Sequence, residues 1–299
     1  MIFKNKTRPS TFFIMVAMLF LWLCWGYNFL VIKLALPYIE PFEFAFIRSI
    51  LSFFVMAGAM MLFNKLRLPR KNLGLIITLG FLQTGGFTGF TCLALVSGGT
   101  GKTAILAFTN PIWVVVISSV LYSEKVNSIN KLSLVLATVG TLFLLRFWDN
   151  NSPVESYIYA ILAGFSLAGS SLIIKALHKR EDNDVFHITV WQLMFGSVPL
   201  FFGMLLTDLS ITEWNAVVYF GLTYNVLSTV VGWSLWSYIL RYVSAGAANL
   251  NTLVIPIIGI VAGYYHLKED VLGFDLFGIS FVLSAIAISW VGLTRKKGI

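Results

Sequence analysis

Charge is what this 299-residue chain has least of. Lys, Arg, Asp and Glu make up 11% of it while 58% is hydrophobic, and soluble domains carry about 25% charge. A water-soluble fold needs a polar skin that this composition does not supply, so lipid must take its place. Cysteine is almost as scarce: Cys24 and Cys92 each lie inside an apolar run, which excludes a disulfide framework or a cysteine metal cluster. Thirteen carboxylates are present, and all of them sit at loops or at the ends of apolar runs. That argues against a proton relay through an intramembrane acid and against a membrane enzyme that holds Mg²⁺ between paired acids. His178, His187 and His266 also fall at run ends. Neither a Gly-x-Ser-x-Gly elbow nor a His-Glu-x-x-His pair occurs. The expectation is a protein that is not an enzyme and uses no metal or cofactor.

What is present is a series of long apolar runs. A bilayer core about 30 Å thick takes roughly 20 helical residues, and ten stretches between charges are suitable. They are Thr11 to Ile32, Phe44 to Phe63, Leu73 to Val96, Thr103 to Ser123, Leu132 to Leu145, Ser156 to Ile174, Ile188 to Thr207, Asn215 to Leu240, Ala245 to Leu267 and Leu276 to Thr294. Leu132 to Leu145 is short, but Lys131 and Arg146 can snorkel outward along their aliphatic stems. The runs are continuously apolar rather than alternating, which favours helices over barrel strands. The first run is too long for a signal-peptide core and no small-x-small cleavage site follows it, so it reads as a retained membrane helix.

Cytoplasmic loops are enriched in Lys and Arg. With the N-terminus inside, sixteen basic residues fall on inner segments, and four (Lys33, Lys102, Arg146 and Lys268) on outer ones. The net charge of +8 is thus mostly topology, and no nucleic-acid partner is needed to explain it. Both termini are expected in the cytoplasm.

The chain also repeats itself. Pro111 and Pro256 are 145 residues apart, as are Glu124 and Glu269, while Lys33 with Lys175 needs 142 and Met61 with Met204 needs 143. This divides the chain into five-helix units at residues 1–147 and 148–299. A repeat with an odd number of helices reverses direction across the membrane, so the fold class expected is all-α integral membrane, ten helices in two inverted five-helix repeats. Such duplications characterise secondary transporters, which bind near the midplane and alternate access by rocking one half against the other.

Few polar groups remain within the runs to do chemistry. Arg48 is the one charge inside a span; it either contacts a carboxylate substrate, or snorkels outward or pairs with Glu43 or Glu40. Trp25 and Asn28 share roughly one helix face. Gln83, Asn110 and Asn251 belong to a set of intramembrane amides that serve either as interhelical glue or as pore lining. Pro111 and its counterpart Pro256 are the expected hinges, because proline frees a carbonyl one turn earlier. Gly98-Gly-Thr-Gly-Lys-Thr103 resembles a phosphate loop, but Val96 occupies the position of its first glycine, which leaves a tight turn between spans three and four. Gly85-x-x-x-Gly89 and Gly259-x-x-x-Gly263 are small-residue faces for close helix packing, within a monomer or in a weak homodimer.

Ten spans in two repeats, Trp25-Gly-x-Asn-Phe29 in the first helix, Arg48 in the second, and an Asn-Pro or Ile-Pro helix followed 13 residues later by Glu resemble the drug/metabolite transporter superfamily, specifically its EamA-type ten-helix branch. The pattern departs from the family where Ser123 and Lys268, rather than glycine, precede the two loop glutamates. The resemblance implies a carrier of the inner membrane for amino acids or related metabolites, often an exporter, with the lipid bilayer and a small-molecule substrate as its partners. It implies a central cavity whose candidate lining is Trp25, Asn28, Gln83, Thr88, Asn110, Trp113, Ser166, Trp233, Tyr238 and Asn251, with Arg48 added from the reading above. The alternatives are uptake or exchange of a charged metabolite such as S-adenosylmethionine or a nucleotide-sugar, and, outside transport, a membrane sensor or scaffold.

Overall fold

The computed structural model describes residues 11–63, 65–69, 71–122, 128–145, 153–178, 185–208, 212–239, 254–270 and 273–295, and among these every regular element is a helix. We number them α1 (Thr11–Ala35), α2 (Pro41–Leu62), α3 (Leu73–Ser97), α4 (Thr100–Ala107), α5 (Asn110–Tyr122), α6 (Ser128–Leu145), α7 (Val154–His178), α8 (Val185–Leu205), α9 (Ala216–Ile239), α10 (Val254–Leu267) and α11 (Gly273–Arg295). Six of them (α1, α2, α3, α7, α8 and α9) are long and apolar enough to cross a membrane unaided. The other expected spans fall on shorter apolar stretches in α6, α10 and α11 and on the broken pair α4–α5.

Local chemistry sets the helix boundaries. Glu40 caps α2: its carboxylate accepts from the Glu43 backbone N–H at 2.9 Å, and Pro41, which has no N–H to leave unsatisfied, occupies the first turn. Asn215 caps α9 in the same way, its Oδ1 accepting from Val217 and Val218 at 2.9 and 3.1 Å. Gly98 and Gly99 lie extended between α3 and α4, so the glycine-rich motif forms the expected turn. The fourth expected span breaks at Phe108–Thr109, immediately before Asn110-Pro111, where a proline without an N–H interrupts the ladder. The region around the other expected hinge is described from Val254 onward, with Pro256 buried in the first turn of α10.

α3 carries a second irregularity. Gly80–Thr88 is wound as a π-helix, a form that usually appears as single-turn bulges, frequently at functional sites. Here the sequence supplies Gly80, Gly85 and Gly86, and α8 crosses this stretch at very close range. A Cβ on Gly196 would stand 2.3 Å from both the Gly80 carbonyl and the Thr84 Cβ, and one on Gly85 would stand 2.7 Å from Pro199. Only glycine admits this crossing, which presses the π-turn toward the centre of the bundle. α6 and α11 approach similarly, with Gly140 and Gly278 each against the other's carbonyl.

Packing couples early helices to late ones. α1 lies against α9 and α10, α2 against α8 and α9, α3 against α7 and α8, α4 against α7 and α10, and α6 against α11. Numbered as the ten expected spans, the contacts come in matched pairs: one with eight and six with three, one with nine and six with four, two with eight and seven with three. The principal buried cluster joins Phe29, Ile32, Phe44, Cys92, Leu95, Leu222 and Ile255. Outward-facing positions are apolar as well: Phe12, Phe54, Leu62 and Phe220 are all at least 60% exposed, which suits contact with acyl chains rather than water. The Gly85/Gly89 and Gly259/Gly263 faces are both filled within the chain, by Pro199 and Leu200 and by Ala104 and Thr100 respectively.

Candidate functional site

Where the long helices converge they leave a cavity of about 110 Å³, room for several waters. α1 contributes Trp25, Asn28, Phe29 and Ile32; α2 contributes Arg48 and Ser49; the π-turn and the residues after it contribute Gln83, Thr84, Phe87, Thr88 and Thr91. Phe108 at the α4–α5 break, Leu167, Leu193, Ser228, Thr229 and Trp233 complete the wall. Six of the sequence-predicted residues thus share one cavity: Trp25, Asn28, Arg48, Gln83, Thr88 and Trp233.

The wall is aromatic on one side. Trp25 and Trp233 meet edge to face at 5.3 Å between centroids, and Phe108 lies 6.2 Å from Phe29 and 6.5 Å from Phe87. Gly232 makes the first contact possible, since a Cβ there would stand 2.3 Å from the Trp25 indole nitrogen. The remaining wall is polar. The Arg48 guanidinium donates to Thr229 Oγ1 at 3.2 Å, and among the described residues no carboxylate lies within ion-pair distance of it. Glu40 is occupied with its own helix, and Glu43 accepts from the Thr212 hydroxyl; neither pairs with the arginine. Asn28 Oδ1 and Gln83 Oε1 are buried with no hydrogen-bond donor among the described residues, and Gln83 is only 3% exposed.

The other predicted site residues fall elsewhere. Trp113 donates its indole N–H to Thr109 at 3.2 Å and packs edge-on against Phe165. Ser166 is buried beside Gly86. Asn110 begins α5 but is not among the cavity residues. Tyr238 lies in the last turn of α9, with its side chain outside the described set, and Asn251 lies outside the described residues. Sequence reasoning missed Thr84, Thr91, Ser228 and Thr229. The first two carried a signal: Thr84, Phe87, Thr88 and Thr91 recur every three or four residues, one helix face. Thr229 carried none, because its partner Arg48 is 181 residues away.

At the end of the bundle holding the α1–α2 and α3–α4 junctions, here called the distal end, polar groups are paired within the chain. Lys33 Nζ donates to the carbonyls of Val96 and Gly98 at 3.1 and 3.0 Å, at the negative end of α3. Glu269 accepts from the Thr100 N–H through both oxygens, at 2.8 and 2.9 Å, and from its hydroxyl at 2.9 Å; it thereby caps α4 from 169 residues away. Lys102 pairs with the buried Asp275 at 2.8 Å. The Glu213 N–H reaches the Tyr38 carbonyl at 2.7 Å. Burial pushes the Glu40 carboxyl above the usual carboxylate range, opposed by its bonds to backbone N–H groups.

A multi-pass helical membrane protein with a mixed polar and aromatic cavity between its helices has the build of a carrier. Residues 12–146 and again 155–291 match the EamA-like transporter family, and the chain belongs to it. It is 25% identical over 296 residues to an uncharacterized transporter of Bacillus subtilis, covering 95% of this chain and 99% of that one. It is 24% identical over 288 residues to a probable amino-acid metabolite efflux pump of Escherichia coli, covering 92% and 94%. These are names of transporters rather than enzymes. A crystal structure of another protein superposes with a TM-score of 0.63 at 14% identity, over 97% of this chain and all of that one, a likeness of fold.

Proposed function

We propose that the chain is a secondary transporter that moves a small amino-acid-like metabolite across the cytoplasmic membrane by alternating access, in the direction of export. The observation that carries this reading is Arg48: a cation on the wall of a central cavity, within a family of transporters, with no carboxylate partner among the described residues. An uncompensated charge in a low-dielectric bundle is costly, and a substrate carboxylate would relieve that cost while it is bound. Trp25, Asn28, Gln83, Thr88 and Trp233 are the further contacts we assign, and Asn110, Trp113, Ser166, Tyr238 and Asn251 would join them only after the helices rearrange. Pro111 at the α4–α5 break and Pro256 in α10 are the assigned hinges.

Two inverted five-helix units, residues 1–147 and 148–299, are supported by the double family match and by the way helix contacts exchange between early and late spans. The distribution of Lys and Arg supports an N-terminus and C-terminus in the cytoplasm; the distal end then faces outward, held shut by Glu269, Lys33 and Lys102. Both glycine faces are filled internally, which supports a monomer. The size of the cavity favours an amino acid over a nucleotide-sugar. Counterflow in proteoliposomes is the test: saturable, competable uptake of an amino acid is expected, and Arg48→Gln should raise its half-saturation concentration at least ~10-fold. Linear, non-saturating flux would overturn the reading.

A further inference from the structure

The segment that closes the distal end is strained. Among the described residues, two other than glycine have a positive φ, Asn72 at 63° and Lys268 at 54°. The left-handed region is an ordinary place for asparagine, whose short side chain tolerates it, and a costly one for lysine, whose Cβ crowds the following carbonyl. Lys268 follows the last residue of α10, where a left-handed residue is usually glycine. Its side chain is exposed and has no hydrogen bond or ion pair among the described residues, so no contact of its own offsets the strain. What depends on this conformation is the next residue. The turn brings the Glu269 N–H to the Gly263 carbonyl at 3.2 Å and the Glu269 carboxylate back over α10 to the Thr100 N–H and hydroxyl of α4. Gly263 keeps that path open, because a Cβ there would stand 2.1 Å from Thr100 Oγ1 and 2.5 Å from Glu269 Oε2.

We infer, resting on the transport reading above, that Lys268 is a positioning residue that sets how readily the distal end opens, through left-handed backbone held in the closed arrangement and relaxed when Glu269 leaves Thr100. Strain of this kind persists only where the surroundings over-determine it, and it collects at switches. Here the surroundings are the three hydrogen bonds of the Glu269 carboxylate. A second cavity of about 210 Å³ adjoins them, with Glu269, Lys102 and Asp275 in its wall. On release the carboxylate swings into polar space beside an ammonium rather than into packed side chains, and Lys268 returns to ordinary backbone. The closed state is thereby weakened about fivefold relative to one with a residue at ease in the left-handed region. The ammonium of Lys268 plays no part in this; its backbone conformation does. The central cavity and its ligand contacts are untouched.

Hydrogen exchange of the full-length chain in detergent, read by mass spectrometry on overlapping peptides across residues 98–104, tests this directly, because Glu269 protects the Thr100 amide. Glu269→Ala should speed exchange there at least ~10-fold. Lys268→Gly and Lys268→Asn, which both suit a left-handed backbone, should slow it about fivefold. Lys268→Ala and Lys268→Arg keep the crowded Cβ and should leave it within about twofold of the unsubstituted chain. Exchange in α6 and α11 should stay the same in all four Lys268 variants, which separates a tighter latch from a general gain in stability. Unchanged Thr100 exchange in Lys268→Gly overturns the inference, and so does an equal slowing in Lys268→Ala. Saturable counterflow in proteoliposomes together with unmoved Thr100 exchange overturns it while sparing the transport reading. Absence of saturable flux for any solute overturns the transport reading itself, even where the exchange pattern is as expected.

Discussion

The central cavity and the distal junction are built from similar residues, and they treat polar groups in opposite ways. At the distal junction Lys33 caps α3, Glu269 caps α4, Lys102 meets Asp275, and Glu43 takes a proton donor from Thr212. In the cavity, among the described residues, an arginine has a single hydroxyl and two amide oxygens have no donor. Desolvation is costly in both places. The junction offsets that cost within the chain and so contributes stability; the cavity leaves it outstanding and so invites a ligand. Stability and binding are therefore separable here, and substitutions in the two regions should move different observables.

The largest effect is expected at neither region but at the crossing that supports the cavity. Gly196→Val should destabilise the fold by about 3 kcal/mol or prevent folding, because its side chain would collide with α3 backbone rather than with a movable tip; unfolding in detergent measures this. Glu269→Ala should cost about 2 kcal/mol by uncapping α4, with Glu269→Gln intermediate, while the affinity of the cavity for its ligand stays within about twofold. A large loss of affinity with intact stability would break the comparison. Arg48→Met should behave in reverse, with ligand binding lost and thermal stability raised by about 1 kcal/mol, since an unpaired cation leaves the interior.

The smallest effect is in pH dependence. Burial holds the folded-state Glu40 carboxyl above its ordinary value, so the folded protein keeps this proton more tightly than the unfolded chain does. Stability relative to Glu40→Gln should therefore rise as pH falls from neutral through that raised value. It should level off once the unfolded chain is protonated too. Parallel unfolding curves of the two proteins across mildly acidic pH check the sign; a stability that falls over this range relative to the Gln variant contradicts it.

Much of this was legible in the chain. The extents of α1, α2 and α3 follow from where charges interrupt apolar runs, and the break before Asn110-Pro111 from proline's missing N–H. Trp25, Asn28, Arg48 and Gln83 could be named because polar and aromatic groups inside a span are few. The identities of their neighbours could not. Trp113 was as plausible as Trp233 by sequence, yet one turned to Thr109 and Phe165 and the other to Trp25. The π-turn of α3 was also unreadable, because three glycines permit it but the crossing of α8 at Gly196 completes it.

Composition and charge spacing by themselves determined that the chain belongs in lipid, which stretches are apolar enough to lie there, and which polar groups go with them, because helix length and the cost of charge in hydrocarbon are properties of each segment alone. Only the tertiary structure decided which of those groups remain unpaired. Whether Arg48 finds Glu43 or Thr229, and whether Gln83 finds a donor among the described residues, depends on helices more than a hundred residues apart coming close enough for a 3.2 Å hydrogen bond, and on the glycines that set how closely they do so.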